Sequence, residues 1–277
     1  KLEEVRANAV QVLTDYRASE TYDVVWMHKI KLVRDGFISD LQKAQTVAEL
    51  NKLLEQAKNE IDAIIDQIPE TGAWDGVTKT EPKADENGTY LIHNGAQLAW
   101  FADQVNQGKG SLNAVLCNDI SLGGKYWTPI GKSADKTFSG TFDGQGHVIR
   151  GLYQDVESDF TGLFGAVRGA GASVSHLTVS GNIKLGGRVT YVAGIAGYVA
   201  GKNSDAKAQI TDCHSKVSIT VTGIRTLDAG VAGVAGYSTN AKITNCSNEA
   251  TVEIVSAGRG GLTYYAGGIV GVARTGC

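Results

Sequence analysis

The chain has 277 residues, enough for two domains that each bury a core. It carries 26 Lys and Arg against 29 Asp and Glu, a net charge of −3, which leaves no basic footprint for nucleic acid or anionic lipid. No apolar run reaches the roughly 18 residues that would insert in a bilayer, and Lys1 opens into helical sequence without the apolar stretch of a signal peptide.

Glycine divides the chain. Residues 1–70 hold a single glycine, Gly36, and the other 34 follow. In the first part apolar residues recur at helical spacing: Leu2, Val5, Ala9, Leu13 and Tyr16, then Trp26, Ile30, Val33, Phe37 and Leu41, then Leu50, Leu54, Ala57, Ile61, Ile64 and Ile68. Thr46 with Glu49 makes a capping box before the last stripe, and Pro69 ends it. The pattern predicts a helical bundle over 1–70, with a two-helix hairpin as the alternative. Trp26, Met27 and His28 could suggest a ligand pocket, but an aromatic residue on such a stripe reads as core and a lone His beside it as a surface or satisfied side chain.

Residues 71–89 are rich in Gly, Pro and charge and read as a linker or lead-in. Tyr90-Leu-Ile92 is a short strand, and Ala96, Leu98, Ala99, Phe101, Ala102 and Val105 then recur at helical spacing. This predicts a helix over 95–107 that caps the open end of the strand stack behind it. Ala114–Leu122 is the next strand run. Phe138–Phe142 and His147–Leu152 follow, joined by Asp143-Gly-Gln-Gly146.

Four Gly-apolar-x-Gly steps come next: Gly162-Leu-Phe-Gly165, Gly194-Ile-Ala-Gly197, Gly233-Val-Ala-Gly236 and Gly268-Ile-Val-Gly271. They are spaced 32, 39 and 35 residues apart. After each of the first three comes a second element: Val174-Ser-His-Leu177, Ile210-Thr-Asp-Cys213 or Ile243-Thr-Asn-Cys246. A β-branched strand then closes the unit: Gly181–Leu185, Val217–Val221 or Ala250–Val255. Three short strands per unit predict a right-handed parallel β-helix over 90–277, stabilised by stacking because no unit buries its own apolar face. Strand alternation turns Leu163, Ile195, Val234, Ile269 and the second glycine of each step inward. The same alternation turns Phe164, Ala196, Ala235 and Val270 outward, onto a covered face.

The four cysteines offer no metal-ligand spacing. Cys213 and Cys246 occupy matching contexts 33 residues apart. They fill the interior as small hydrophobes, or pair as a disulfide if their Cβ vectors converge.

The steps resemble the GLUG motif, named for a Gly-Leu-aromatic-Gly sequence close to Gly162-Leu-Phe-Gly165. It recurs in large secreted and wall-attached bacterial proteins, including members of the IgA-specific metallopeptidase family. Ala96-Gln-Leu-Ala-Trp-Phe-Ala102, Asp119-Ile-Ser-Leu-Gly-Gly124, Trp127-Thr-Pro-Ile-Gly131 and Phe138-Ser-Gly-Thr-Phe-Asp-Gly-Gln-Gly-His147 look like the start of such a β-helical region. The resemblance covers about 85–277 and implies a right-handed β-helix on a bacterial surface. The peptidase motif His-Glu-x-x-His begins at none of the five histidines, so any catalytic domain is expected outside this chain. The charged helical opening and the stop just after a repeat step predict a piece of a longer protein.

Parallel β-helices also carry polysaccharide lyases and hydrolases, whose sites need carboxylates converging on one face. The acids available are Asp119, Asp143, Asp155, Glu157, Asp159 and Asp212, and turn or loop roles account for them. No catalytic, metal or cofactor residue is assigned. Tyr191 and Tyr265 each sit three residues before a step, and Tyr198 and Tyr237 each follow one. Aligned on adjacent coils, these four tyrosines would form a strip for sugar rings or a protein partner. Alternatively they cover the sheet beneath. The reading is a non-catalytic segment of a secreted, cell-surface protein, an adhesin or stalk presenting a rigid face to a host extracellular protein or glycan. The alternatives are a carbohydrate-active β-helix enzyme or an accessory region of a surface peptidase.

Overall fold

The computed structural model describes residues 2–16, 24–65, 72–223, 228–255, 263–274 and 276–277. The chain divides into two compact units, residues 1–71 and 72–277.

The first unit is helical: α1 (Leu2–Asp15), α2 (Val24–Lys43) and α3 (Val47–Ile65). The stripes meet as the spacing requires, with Ala9, Leu13, Ile30, Leu41, Leu50, Ala57 and Ile61 buried together. Val5 departs from its stripe and is exposed, and Val10 packs on the core instead. The cap half of the box forms, Thr46 Oγ1 accepting from Glu49 N at 3.1 Å, while the Glu49 carboxylate reaches one residue past the cap and accepts from Gln45 N at 2.9 Å. Met27 and His28 are exposed. The side chain of Trp26, with Ile68 and Pro69, lies outside the described residues.

The second unit is a parallel β-helix. Its lead-in belongs to the coil, because Trp74 N donates to Ser121 O and the Trp74 ring meets Trp127 edge-on at 5.6 Å. A long sheet stacks Tyr90–Ile92, Ala114–Leu116, Thr141–Asp143, Ser173–Gly186, Ala208–Thr222 and Ala241–Thr244 in chain order, all parallel. Helix α4 (Gly95–Asn106) is inserted between the first two. Asn94 caps it by accepting from Gln97 N, and Leu98, Phe101, Ala102 and Val105 are buried. Phe101 lies 6.1 Å from Phe138 and 6.0 Å from Phe142, and both of those touch Phe164. The helix thus plugs the end of one continuous aromatic core, as a solenoid cap must.

The two elements expected after a step are halves of one bent strand after the first two steps, and separate strands, Ala241–Thr244, Ser247–Asn248 and Val252–Val255, after the third. His176, Asp212 and Asn245 stand on equivalent positions of adjacent rungs, following the in-register residues Ser175, Thr211 and Thr244. Each takes a left-handed φ, at 49°, 51° and 53° respectively. Asn, Asp and His are the side chains that tolerate this conformation best. The left-handed residue reverses the alternation, so Val174 and Leu177, three residues apart, both face the core, as do Ile210 and Cys213. Beyond the bend, Val217, Ile219 and Val221 pair with Gly181, Ile183 and Leu185. Cys213 and Cys246 fall at the same position of neighbouring rungs as free thiols, Cys213 buried and Cys246 half-buried against the core.

Candidate binding face

Two four-stranded parallel sheets flank the steps. Phe160–Thr161, Tyr191–Ala193, Ala229–Ala232 and Tyr264–Gly267 lie before them; Phe164–Arg168, Ala196–Ala200, Ala235–Thr239 and Val270–Ala273 lie after. The step is therefore a corner between sheets, not the middle of a strand. Leu163, Ile195 and Val234 are fully buried, as alternation predicts, and Ile269 is half-buried on the last described rung. Phe164, Ala196 and Ala235 are equally buried, contrary to the expected outward face, because the chain bends between the two residues and turns both into the core.

The two glycines of a step do different jobs. A Cβ on Gly194 would stand 2.3 Å from Ser215 Oγ and 3.1 Å from Val217 Cβ, so the first glycine lets the corner reach the long sheet opposite. A Cβ on Gly197 would stand 2.7 Å from Tyr191 O and 2.8 Å from Thr161 N. The second glycine thus faces the backbone of the strands before the step, not the core, and this too departs from the alternation. Trp127 Nε1 donates to Leu163 O at 3.0 Å, and Gln154 Nε2 donates to both Trp127 O and Gly162 O at 3.1 Å, which ties the first step to the coil below.

Past the second glycine the alternation restarts. Val167 and Val199 face the core, so Ala166, Tyr198, Tyr237 and Val272 form an outward row in register on four rungs. Two residues on, Arg168, Ala200 and Thr239 form a second row. The pair Ser238↔Ala273 sets Arg274 beside Thr239 at its far end. On the sheet before the step the matching row is Phe160, Tyr191, Gly230 and Tyr265.

The facing rows touch. Tyr191 lies 5.7 Å from Tyr198 and 4.7 Å from Tyr237, centroid to centroid. Tyr198 stacks on Tyr237 at 5.1 Å, and Phe160 joins at 5.4 Å from Tyr198 and 6.1 Å from Tyr191. Three of the four expected tyrosines are thus brought together. Tyr265 shares the Tyr191 row but is 40% exposed, and among the described residues its ring meets none of the others. The ring faces are spent largely on one another. The phenol hydroxyls of Tyr191, Tyr198 and Tyr237 have no hydrogen-bond partner among the described residues. Burial raises the pKa of Tyr191 and Tyr198 above the usual tyrosine value. For Tyr191 the Tyr237 phenol and Asp228 add to the rise and Arg274 opposes it; for Tyr198 the opposing charge is Arg168.

Two clefts open on this part of the coil. One is lined by Thr137, Arg168, Gly169, Ala170, Gly201 and Lys202. The other runs between Lys132, Ser133, Asp159 and Thr190, with Phe160 and Tyr191 as its aromatic wall. The carboxylates weighed for catalysis are held in local bonds. Asp119 accepts from Val148 N and Arg150 Nη1 at 3.0 Å and pairs with His147 Nδ1 at 3.1 Å. His176 bridges rungs, 2.9 Å from Asp143 through Nδ1 and 3.6 Å from Asp212 through Nε2. Asp155 accepts from Tyr153 OH, Asp159 from Thr190 Oγ1, and Glu157 lies against Gly187.

Phe160, Arg168 and Arg274 are the members of the face that sequence spacing missed. The arginines sit six residues after the first glycine of their steps, on the same outward face as the tyrosines four residues after. That signal was readable once the strand was known to restart at the second glycine. Phe160 is hidden by a one-residue difference: it stands two residues before its step, whereas its register partner Tyr191 stands three before.

Residues 229–253 match the family model of the GLUG motif. They run from the strand before the third step through the second element to the closing strand, which is one unit of the coil. No curated protein matches the sequence. Among solved structures, the crystal structure of a candidate immunoglobulin A1 protease from Bacteroides ovatus is similar over 71% of this chain and 65% of its own, at 18% identity and a TM-score of 0.48.

Proposed function

We propose that this chain is a non-catalytic β-helical segment of a secreted, surface-exposed bacterial protein. It serves as an adhesin or stalk and offers one rigid face to a host extracellular protein or glycan. The observation that supports this most is the cluster of Tyr191, Tyr198 and Tyr237, with Tyr198 and Tyr237 in register on consecutive rungs, Tyr191 leaning across from the facing sheet, and no hydroxyl partner among the described residues. Tyrosine supplies large contact area at little cost in side-chain entropy and has a polar end for a partner, and so it recurs at the centres of interfaces. Parallel strands hydrogen-bonded on both sides hold the rings without needing the ligand to order them. The GLUG match supports the surface assignment through the company that motif keeps.

The test is a glycan array together with a pull-down of host extracellular proteins, run with the whole chain and with its Y198A/Y237A variant. Specific capture that disappears in the variant supports the reading. Capture equal in both, or none, rejects it.

A further inference from the structure

We infer that the outward face built from Tyr198, Tyr237, Arg168, Arg274 and the neighbouring Lys202 takes an acidic glycan chain, one whose sugar rings carry carboxylate or sulfate groups. This rests on the reading above, that the aromatic face binds a partner, and it adds the partner's chemistry.

Three observations carry it. The first is placement. Arg168 is one rung below Tyr198 and two residues along the strand, on the same outward face, and Arg274 bears the same relation to Tyr237 one rung above. With rungs about 4.8 Å apart, the strand positions of the two arginines are separated by three rungs, or roughly 14 Å along the coil, and the two tyrosines stand on the rungs between them. A lone carboxylate or phosphate reaches one arginine only, whereas an oligosaccharide reaches both.

The second is charge. The protein as a whole is acidic at −3, yet the cleft that contains Arg168 is lined, among the described residues, by Arg168 and Lys202 with no carboxylate. None of Arg168, Lys202 and Arg274 has a salt-bridge partner among the described residues. Among the described residues the acids that border the face form no salt bridge with these cations: Asp159 stands in the opposite cleft bonded to Thr190, Asp205 is in the turn after Lys202, and Asp228 shares the neighbourhood of Tyr191 with Arg274. Unpaired cations held over a negatively charged body are placed for an anionic ligand, and guanidinium geometry matches carboxylate and sulfate oxygens.

The third is the state of the tyrosines. Their ring faces are occupied by stacking, which leaves hydroxyl edges as the groups on offer. Hydroxyl edges suit the hydroxyl-rich rim of a sugar better than a flat apolar surface.

The experiment uses the whole chain and four probes by isothermal titration: a heparin-derived hexasaccharide, a hyaluronan hexasaccharide, maltohexaose and inorganic tripolyphosphate. At least one acidic hexasaccharide is expected to bind and to weaken as salt rises. Its affinity should drop tenfold or more in R168A/R274A and severalfold in Y198F/Y237F. Unchanged thermal melting in these surface variants keeps the loss attributable to binding. Equal binding of maltohexaose or tripolyphosphate, no binding of either acidic sugar, or full affinity in R168A/R274A would each overturn the inference. If acidic sugars fail while a host protein or neutral glycan is captured and then lost in Y198A/Y237A, only the chemistry proposed here falls. The broader reading of the face would survive.

Discussion

Tyr198 and Tyr237 are register partners on adjacent rungs, with ring centroids 5.1 Å apart and planes 7° from parallel. The backbone repeat of the coil is thus copied into the side chains on its surface. The rings hold position because the strands beneath them do, and Gly197 and Gly236 let the sheets on either side close enough for Tyr191 to lean across. The aromatic face and the fold therefore have a common origin in the spacing of the step.

Removing one ring should show this coupling. Aromatic pairs contribute about 0.5–1.5 kcal/mol beyond the area they bury. Tyr198→Ala and Tyr237→Ala should each lower stability, and the double variant should lose less than the sum, by about that amount. A double-mutant cycle from urea unfolding measures it. Strict additivity would mean that the rings merely sit near one another.

The two kinds of glycine predict opposite outcomes. Ala at position 197 puts a Cβ 2.7 Å from Tyr191 O and 2.8 Å from Thr161 N, both backbone atoms that cannot swing aside. Gly197→Ala should therefore force the sheets apart, destabilise the coil by several kcal/mol and lower expression, in line with the tail of large single-residue effects. At Gly36, in the middle of α2, a Cβ meets nothing within 4 Å. Gly36→Ala should stabilise the helical unit by about 0.5–1 kcal/mol. Thermal melts of the two variants check both signs.

The repeat, the capping helix and the inward ladder of Leu163, Ile195 and Val234 were legible in the sequence, because each follows from a period that composition displays directly. Two features were not. Phe164 was turned outward by an alternation that holds only along an unbroken strand, and nothing local announces that the chain bends between Leu163 and Phe164. His176, Asp212 and Asn245 were equally silent. A left-handed residue leaves a hint in its type but not in any spacing, and its effect is to turn residues three apart to the same side. Of the binding face, the tyrosines were readable from their distance to the step. The arginines needed the register, which only hydrogen bonding between rungs supplies.

The stacked thiols make a chemical prediction. The neighbouring Cys213 thiol brings Cys246 down to about 7, and the same neighbour together with burial pushes Cys213 far up, while each Sγ also lies within reach of a carbonyl of its own strand, Thr211 O at 3.3 Å and Thr244 O at 3.2 Å. Iodoacetamide should label Cys246 with a rate that climbs through pH 7, two units below the ordinary 9.0, and leave Cys213 unlabelled until the coil unfolds. Replacing Cys213 with Ala removes the neighbouring thiol, so the Cys246 midpoint should move back up. Mass spectrometry of labelled peptides across pH 6–10 reads both. A Cys246 midpoint that ignores the substitution would show that the neighbouring thiol does not set it.

Asp75 offers a check on the lead-in strand. The Thr78 hydroxyl, then the backbone N–H groups of Thr78 and Val77, donate to its carboxylate and lower its pKa from 3.8 to about 2. The loop they close also lets Trp74 Nε1 donate to Thr78 O at 2.6 Å, while the Trp74 ring packs on Trp127. A carboxylate with a lowered folded pKa contributes stability that is fully present above its unfolded value and is lost as pH falls through the folded one. The loop should therefore hold its Trp74 contact at pH 5 and loosen between about pH 4 and pH 2. In Thr78→Val the carboxyl should titrate nearer 3.8, and the change in Trp74 fluorescence should move to higher pH with it. The remaining tryptophans are replaced by phenylalanine where the coil tolerates it, so that the signal reports this site. Identical acid transitions in Thr78→Val and the parent would mean that the hydroxyl does not hold the turn, and that Trp74 is kept in place by its packing on Trp127 alone.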